Sequence, residues 1–286
     1  MAQGQKIDLH SHTVHSDGQR TPDELLDEAV AAGVGVLSVT DHDTVSGLDA
    51  CRKAAEARGV RLVPGIELSC DFNGREIHVL GHFIDPTSAA LGRLAAEMTA
   101  ERRERMEKMV ARAVSLKLRG ITFERVLAVS GGELLARPHL ARVLIDFGHA
   151  TSVKDAFDRW LTDGAPLWVD RRYLESKAGI ELIRDAGGTS SVAHPGANKV
   201  QRGELKILAD QGLDAVEADH PEHVPTQVEA YERWAAENRM LVTAGSDFHG
   251  PAVQPDRKLG DRSLAADRFA ALEQRATGRR VPARPA

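Results

Sequence analysis

The chain has 286 residues, 42% of them hydrophobic, enough for one large core or for a domain that carries a smaller one inserted in it. A formal net charge of -5 argues against general affinity for duplex DNA or RNA, and no segment reaches the roughly 18 uninterrupted apolar residues of a membrane span. The N-terminus has no signal-like apolar run, and Cys51 and Cys70 show neither metal-type nor redox-type spacing, so the expectation is a cytoplasmic protein with reduced thiols.

In chain order, KIDLHSH reads as a short strand. TPDELLDEAVAAG reads as a helix with a capping box at Thr21 and Glu24, Pro22 in its first turn and Gly33 at its stop. VGVLSVTDHD is a buried strand, SGLDACRKAAEARG a helix closed by Gly59, and RLVPGIELSC the next strand, the alternation that builds a parallel sheet. REIHVLGHFID alternates as a further strand. From about Leu91 to Gly120 the pattern becomes one long charged helix, and short helical pieces without a strand follow it. Within that helix the cationic run RRERMEK is interleaved with Glu101, Glu104 and Glu107, which reads as a solvated face. Strand and helix alternation resumes at GIELIRDAGG and runs to MLVTAGSDFHG, and RATGRRVPARPA reads as a frayed tail. The expected organisation is a first barrel part over residues 1–87, a helical insertion over 88–172, and a second barrel part with the tail over 173–286.

Candidate chemistry concentrates at the strand ends. His10 and His12 are two apart on a strand, so both project from one face, toward the loops where parallel α/β proteins bind ligands. Later strands end in Asp41, His42 and Asp43, in Glu67, in His78, in His194, and in Asp247 with His249. A barrel gathers such ends around one mouth, where mixed imidazoles and carboxylates form a donor set for two or three divalent ions.

The motifs DLHSHTVHSDG, TDHDT, PGIELS, EIHVLGHFID, AHPG and GSDFHG, spread over most of the chain, resemble those of the polymerase and histidinol phosphatase (PHP) family of metallophosphoesterases. Within it, the chain is similar to a branch with a helical insertion that includes nucleoside 3',5'-bisphosphate phosphatases and 5'-to-3' exoribonucleases acting on short RNA. The resemblance implies an α/β fold, a distorted seven-stranded (β/α)7 barrel with an inserted helical subdomain. It implies one ion on His10, His12, Glu67 and Asp247, a second on Glu67, His78 and His194, and a third on Asp17, His42 and His249, with Asp17 where some relatives use histidine. Asp41 and Asp43 then stand behind the ligands, while His15, His82, His149 and His220 have no part in the scheme. The mixed N/O donors suit manganese, zinc or iron, with magnesium acceptable at weaker positions. Paired dications bind phosphate oxygens, lower the pKa of a bridging water and stabilise the attacking and leaving oxygens, which makes Glu67 and Asp247 catalytic as well as metal-binding. His223, in EADHPEH, is either the proton donor to the leaving alkoxide or a loop histidine without a catalytic part.

Substrate choice falls to the insertion, where ARPHLAR offers Arg137 and His139, arginine being suited to phosphate by its planar fork. GAPLWVDRR departs from the relatives' GKPxYVP-like pattern, with Ala165, Trp168 and Asp170 in place of Lys, Tyr and Pro. That removes one phosphate contact and adds an anion, with Arg171 or Arg172 placed to compensate. The expected function is metal-dependent hydrolysis of a phosphate monoester of a nucleotide, such as a nucleoside 3',5'-bisphosphate, or of a short oligonucleotide end. Two other readings stay open: a histidinol-phosphatase-like enzyme for a non-nucleotide monoester, for which the 4% aromatic content leaves room, and a metal-binding module without catalysis. The last predicts gaps in the ligand set, and this sequence has none.

Overall fold

The computed structural model describes residues 5–131, 134–171 and 173–280; Arg172 and residues 281–286 of the expected tail lie outside the described residues. The first half of the barrel runs β1 (Lys6–Asp8), α1 (Pro22–Ala31), β2 (Val34–Val39), α2 (Leu48–Arg58), β3 (Arg61–Phe72) and β4 (Arg75–His82). Thr21 caps α1, its hydroxyl accepting from the Glu24 amide while the Glu24 carboxylate accepts from the Thr21 amide at 2.9 Å, so the capping box forms. β2, VGVLSV, is buried at every position, as a strand covered on both faces must be.

Helices fill the middle of the chain: α3 (Ala89–Ser115), α4 (Phe123–Ser130), α5 (Arg137–Asp146) and α6 (Val153–Ala156), the last continuing as a π-helical turn over Phe157–Leu161. The long helix stops short of Gly120 because Lys117, at φ 59°, turns the chain out of it. β5 (Leu174–Glu175), α7 (Ser176–Asp185), β6 (Thr189–Val192), α8 (Arg202–Asp210), β7 (Ala215–Asp219), α9 (Pro225–Glu237), β8 (Leu241–Ala244) and α10 (Ala266–Arg280) follow. The expected frayed tail is therefore corrected over Arg275–Arg280, which is helical. Arg275 and Arg279 both reach the buried carboxylate of Asp214, at 2.8 and 2.6 Å, and pin α10 to the barrel.

Seven strands lie in the order β1-β2-β3-β4-β6-β7-β8, with β5 paired to β3 off that path. The distortion is local: β4 runs antiparallel to both of its neighbours, while the other pairs are parallel. The β3–β4 hairpin turns on Asn73 and Gly74, both left-handed (φ 54° and 78°), the backbone that a two-residue turn needs. Beyond the regular strands, Leu9 donates to the Ala244 carbonyl at 3.1 Å and His12 to the Phe248 carbonyl at 2.9 Å, linking the first strand's continuation to the last.

Two hydrophobic clusters occur. One fills the barrel and its outer helices, and the other runs from Met106 to Leu167 among α3, α4, α5 and α6. Helix α3 serves both: Leu91 and Leu94 belong to the barrel cluster, Met106 and Met109 to the second. This corrects the reading of RRERMEK as a solvated face. Arg103 and Lys108 are exposed and pair with Glu107 and Glu104, but Arg102 and Arg105 are buried, because they share a helix face with Met106 and Met109.

Candidate metal centre

β1 ends at Asp8, so His10 and His12 lie in its extended continuation, held by a bridge between Ser11 and Phe248. Both rings nonetheless reach one carboxylate, Glu67 on β3, which is completely buried. Its Oε2 lies 3.3 Å from His10 Nε2, 3.2 Å from His12 Nε2 and 3.3 Å from His42 Nδ1. Its Oε1 lies 2.9 Å from His78 Nδ1 and 3.1 Å from His194 Nε2. Asp247, past β8, puts Oδ1 3.3 Å from both His10 Nε2 and His12 Nε2. Asp17 lies 3.2 Å from His249 Nε2 and 3.8 Å from His42 Nε2.

Three groups of donor atoms result: His10, His12, Glu67 and Asp247; His12, Asp17, His42 and His249; and His42, Glu67 and His78. The first has the same members as the first ion set named above. The second adds His12 to the third set. In the last, His42 stands where the resemblance implies His194, although His194 touches the same Glu67 oxygen.

Five imidazole nitrogens crowd one carboxylate that offers about four lone-pair sites. Moreover, His12 Nε2, His42 Nδ1, His78 Nδ1 and Asp17 Oδ1 are buried without a hydrogen-bond partner, despite oxygen or nitrogen atoms nearby. Donors at about 2.0–2.1 Å from a shared tetrahedral ion would stand about 3.3 Å apart, and these nitrogen–oxygen separations are of that size. The donor set therefore fits divalent ions better than it fits a hydrogen-bond network. Burial pushes the Glu67 carboxyl up, but His42, His78 and His10 outweigh it and hold the group well below the usual carboxylate range. Burial likewise opposes ionisation of Asp17 and Asp247, and the surrounding histidines override it in both. The centre thus keeps three buried anionic carboxylates, the charge that several dications require.

Side chains outside the expected list fix these donors. Glu217 on β7 accepts from His10 Nδ1 at 2.9 Å and from the His194 amide at 2.6 Å. His220 places Nε2 3.3 Å from Asp247 Oδ2, and Arg257 donates to the same oxygen. Glu217 and Arg257 were not singled out in the sequence, and His220 was given no part there, which its contact with Asp247 corrects; a glutamate inside the buried strand AVEAD was the available signal. Asp41 binds the Thr13 amide at 2.8 Å and the Ser16 hydroxyl at 2.6 Å, shaping the loop that carries Asp17. Three non-glycine residues here, Asp43, His194 and Asp247, have left-handed backbone (φ 53°, 29° and 49°), conformations that persist only where the surroundings enforce them. Gly245 permits the closest approach: a Cβ there would sit 2.3 Å from His10 Cβ.

His223 is buried and committed to backbone at both nitrogens. Nδ1 donates to the Ala218 carbonyl at 2.8 Å, and Nε2 accepts from the Gly196 amide at 3.0 Å. That leaves it no proton to give, and the loop-histidine alternative fits this geometry. His139 accepts the Ala136 amide on Nδ1 at 3.1 Å, closing the start of α5, and burial lowers its pKa to about 4. Arg171 is enclosed by acids, 2.6 Å from Asp43 and 3.3 Å from Glu101, and its side chain is 2% exposed. Of the three expected substrate contacts, Arg137 and Arg171 line one cleft, of about 550 Å³, with Trp168 and Tyr173, and His139 lines another beside Asp17. Arg137 Nη2 lies 3.5 Å from Glu76.

A model of the PHP domain matches residues 8–161 of the chain. The chain is 33% identical over 260 residues to the 5'-3' exoribonuclease Rnm of Salmonella typhimurium, covering 88% of each protein. It is 32% identical over 252 residues to the 3',5'-nucleoside bisphosphate phosphatase of Chromobacterium violaceum, covering 86% of this chain and 87% of that protein. A structure from Bifidobacterium adolescentis, assigned as a metal-dependent phosphoesterase, superposes with a TM-score of 0.87 at 30% identity, over 95% of this chain and 96% of the other. Motifs, ligand-like cluster and whole-chain similarity agree, and the chain belongs to the PHP family of metal-dependent phosphoesterases.

Proposed function

We propose that this phosphoesterase removes a phosphate monoester from a nucleotide, either a nucleoside 3',5'-bisphosphate or the end of a short RNA, at the centre built around Glu67. The observation that carries the reading is the shell of five imidazoles on one buried carboxylate, with four donor atoms that no hydrogen bond satisfies. The named activities of the two relatives, an exoribonuclease and a nucleoside bisphosphate phosphatase, both break a phosphate ester of a nucleotide.

His10, His12, Asp17, His42, Glu67, His78, His194, Asp247 and His249 would hold two or three ions, manganese, zinc or iron, with magnesium at weaker positions. Ions held there supply the charge that binds phosphate oxygens and activates water for attack. The chain's own contribution is orientation. Glu217 holds His10, His220 and Arg257 hold Asp247, and Asp41 holds the loop of Asp17. His223 has no donor role in this proposal. The helical segment over residues 88–172 acts as a cap that supplies Arg137 to the substrate. The activities named for the relatives favour a nucleotide over a non-nucleotide monoester.

The test is a substrate screen of the metal-reconstituted protein with nucleoside bisphosphates, nucleoside monophosphates, short 5'-phosphorylated RNA and histidinol phosphate. The highest kcat/KM is expected for a nucleotide or RNA end. A preference for histidinol phosphate would overturn the nucleotide assignment and leave the phosphoesterase chemistry intact.

A further inference from the structure

The turn His194-Pro195-Gly196 has only two backbone N–H groups to give, since proline has none. The His194 amide donates to Glu217 Oε2 at 2.6 Å, and the Gly196 amide donates to His223 Nε2 at 3.0 Å. From its other nitrogen, Nδ1, His223 donates to the carbonyl of Ala218, the residue after Glu217, at 2.8 Å. Three hydrogen bonds therefore close a loop through the turn, the imidazole and β7.

The Ala218 carbonyl is open to a side chain because the ladder gives out there. Val216 is the last residue of β7 paired with β6, and the register toward β8 shifts between Glu217 and Asp219. A carbonyl can only accept and an amide can only donate, so these two backbone partners fix a neutral imidazole with its proton on Nδ1. The ring is 3% exposed, with the rings of Tyr231 and His220 at centroid distances of 5.0 and 5.4 Å. A Cβ on Gly196 would fall 2.6 Å from His223 Cδ2, so the turn meets the edge of the ring with no room for a side chain between them.

His194 is the residue that gains from this. Its backbone is left-handed, at φ 29°, and its Nε2 lies 3.1 Å from Glu67 Oε1. Such a conformation persists only where its surroundings over-determine it, and here both amides of the turn are held. We propose that His223 is a positioning residue, whose ring braces the His-Pro-Gly turn against β7 and so fixes His194 on Glu67 and Glu217 on His10. The inference rests on the reading of the Glu67 cluster as a metal centre, and the measurements below separate the two.

Manganese affinity is measured by competition with a chelator in wild type, His223→Leu and His223→Gln. Glutamine carries an acceptor and a donor in one planar group and can keep both bonds, whereas leucine keeps neither. His223→Leu is expected to bind the metal about 10–100-fold more weakly, and His223→Gln to stay within about threefold of wild type. A packing role alone would lower the urea midpoint of the metal-free protein and leave the affinity where it was. If His223→Leu fails to fold, Gly196→Ala, whose Cβ pushes the turn off the ring, should give the same loss with His223 intact. Unchanged affinity in the leucine variant, or an equal fall in the glutamine variant, would overturn the proposal. The ring-nitrogen NMR shifts of His194 in metal-free protein should move in His223→Leu and hold in His223→Gln. Should wild type take up no manganese, the metal reading falls, and those shifts still decide the brace: no movement in His223→Leu would overturn it.

Discussion

The barrel mouth and the helical segment both bury charge, and they balance it in opposite ways. At the mouth, Asp17, Glu67 and Asp247 are buried among imidazoles that overfill them, which leaves His12 Nε2, His42 Nδ1, His78 Nδ1 and Asp17 Oδ1 without a hydrogen-bond partner. Where the helical segment meets the barrel, Asp43, Glu76 and Glu101 are matched to Arg102, Arg137 and Arg171 by ordinary ion pairs, and Arg105 has none.

Glu67→Gln breaks this contrast most severely, since one substitution touches all five imidazoles at once. Turnover should fall by about a thousandfold or more, while Asp17→Asn, which touches only one side of the cluster, should lose less. Parallel kcat and metal-content measurements check it, and comparable losses in the two variants would remove Glu67 from the centre of the scheme. In the helical segment the next largest effect is on stability. Arg171→Met removes the arginine on Glu101 and one of the two on Asp43 and should cost about 3 kcal/mol, whereas Arg105→Met strands no carboxylate and should cost far less. Urea denaturation of the two variants separates a paired buried arginine from an unpaired one. Glu217→Gln weakens the hold on His10 and should reduce metal affinity or kcat about 10–100-fold, measurable by competition with a chelator. The smallest effect belongs to the outward half of the charged run: Lys108→Ala, which loses only an exposed pair with Glu104, should change stability by less than about 0.5 kcal/mol.

The same contrast explains what the sequence could tell. The nine expected ligands converge because strand ends converge, and short motifs mark strand ends. The histidines after β7 were harder to read. His220, expected to have no part, touches a carboxylate of the centre, His223 takes the loop-histidine alternative, and a register irregularity between Glu217 and Asp219 precedes them. An extra residue in a strand changes which side chains face inward, and simple alternation does not announce it. RRERMEK was misread for a related reason. Its glutamates do form exposed pairs with Arg103 and Lys108, but Arg102 and Arg105 turn inward with the methionines, and which face a long charged helix buries depends on what packs against it. Arg171 looked like a phosphate contact until its three acidic neighbours, drawn from the loop after β2, from β4 and from the middle of α3, came together around it. Long-range ion pairing of that kind leaves no local mark in the chain.

The central claim is that the Glu67 cluster holds the divalent ions on which turnover depends, and metal stoichiometry measured against phosphatase activity tests it most directly. The purified protein should carry about two or three equivalents of manganese, iron or zinc per chain, lose turnover as a chelator removes them, and regain it on readdition. Undiminished turnover in protein stripped below about a tenth of an equivalent of metal would contradict the account.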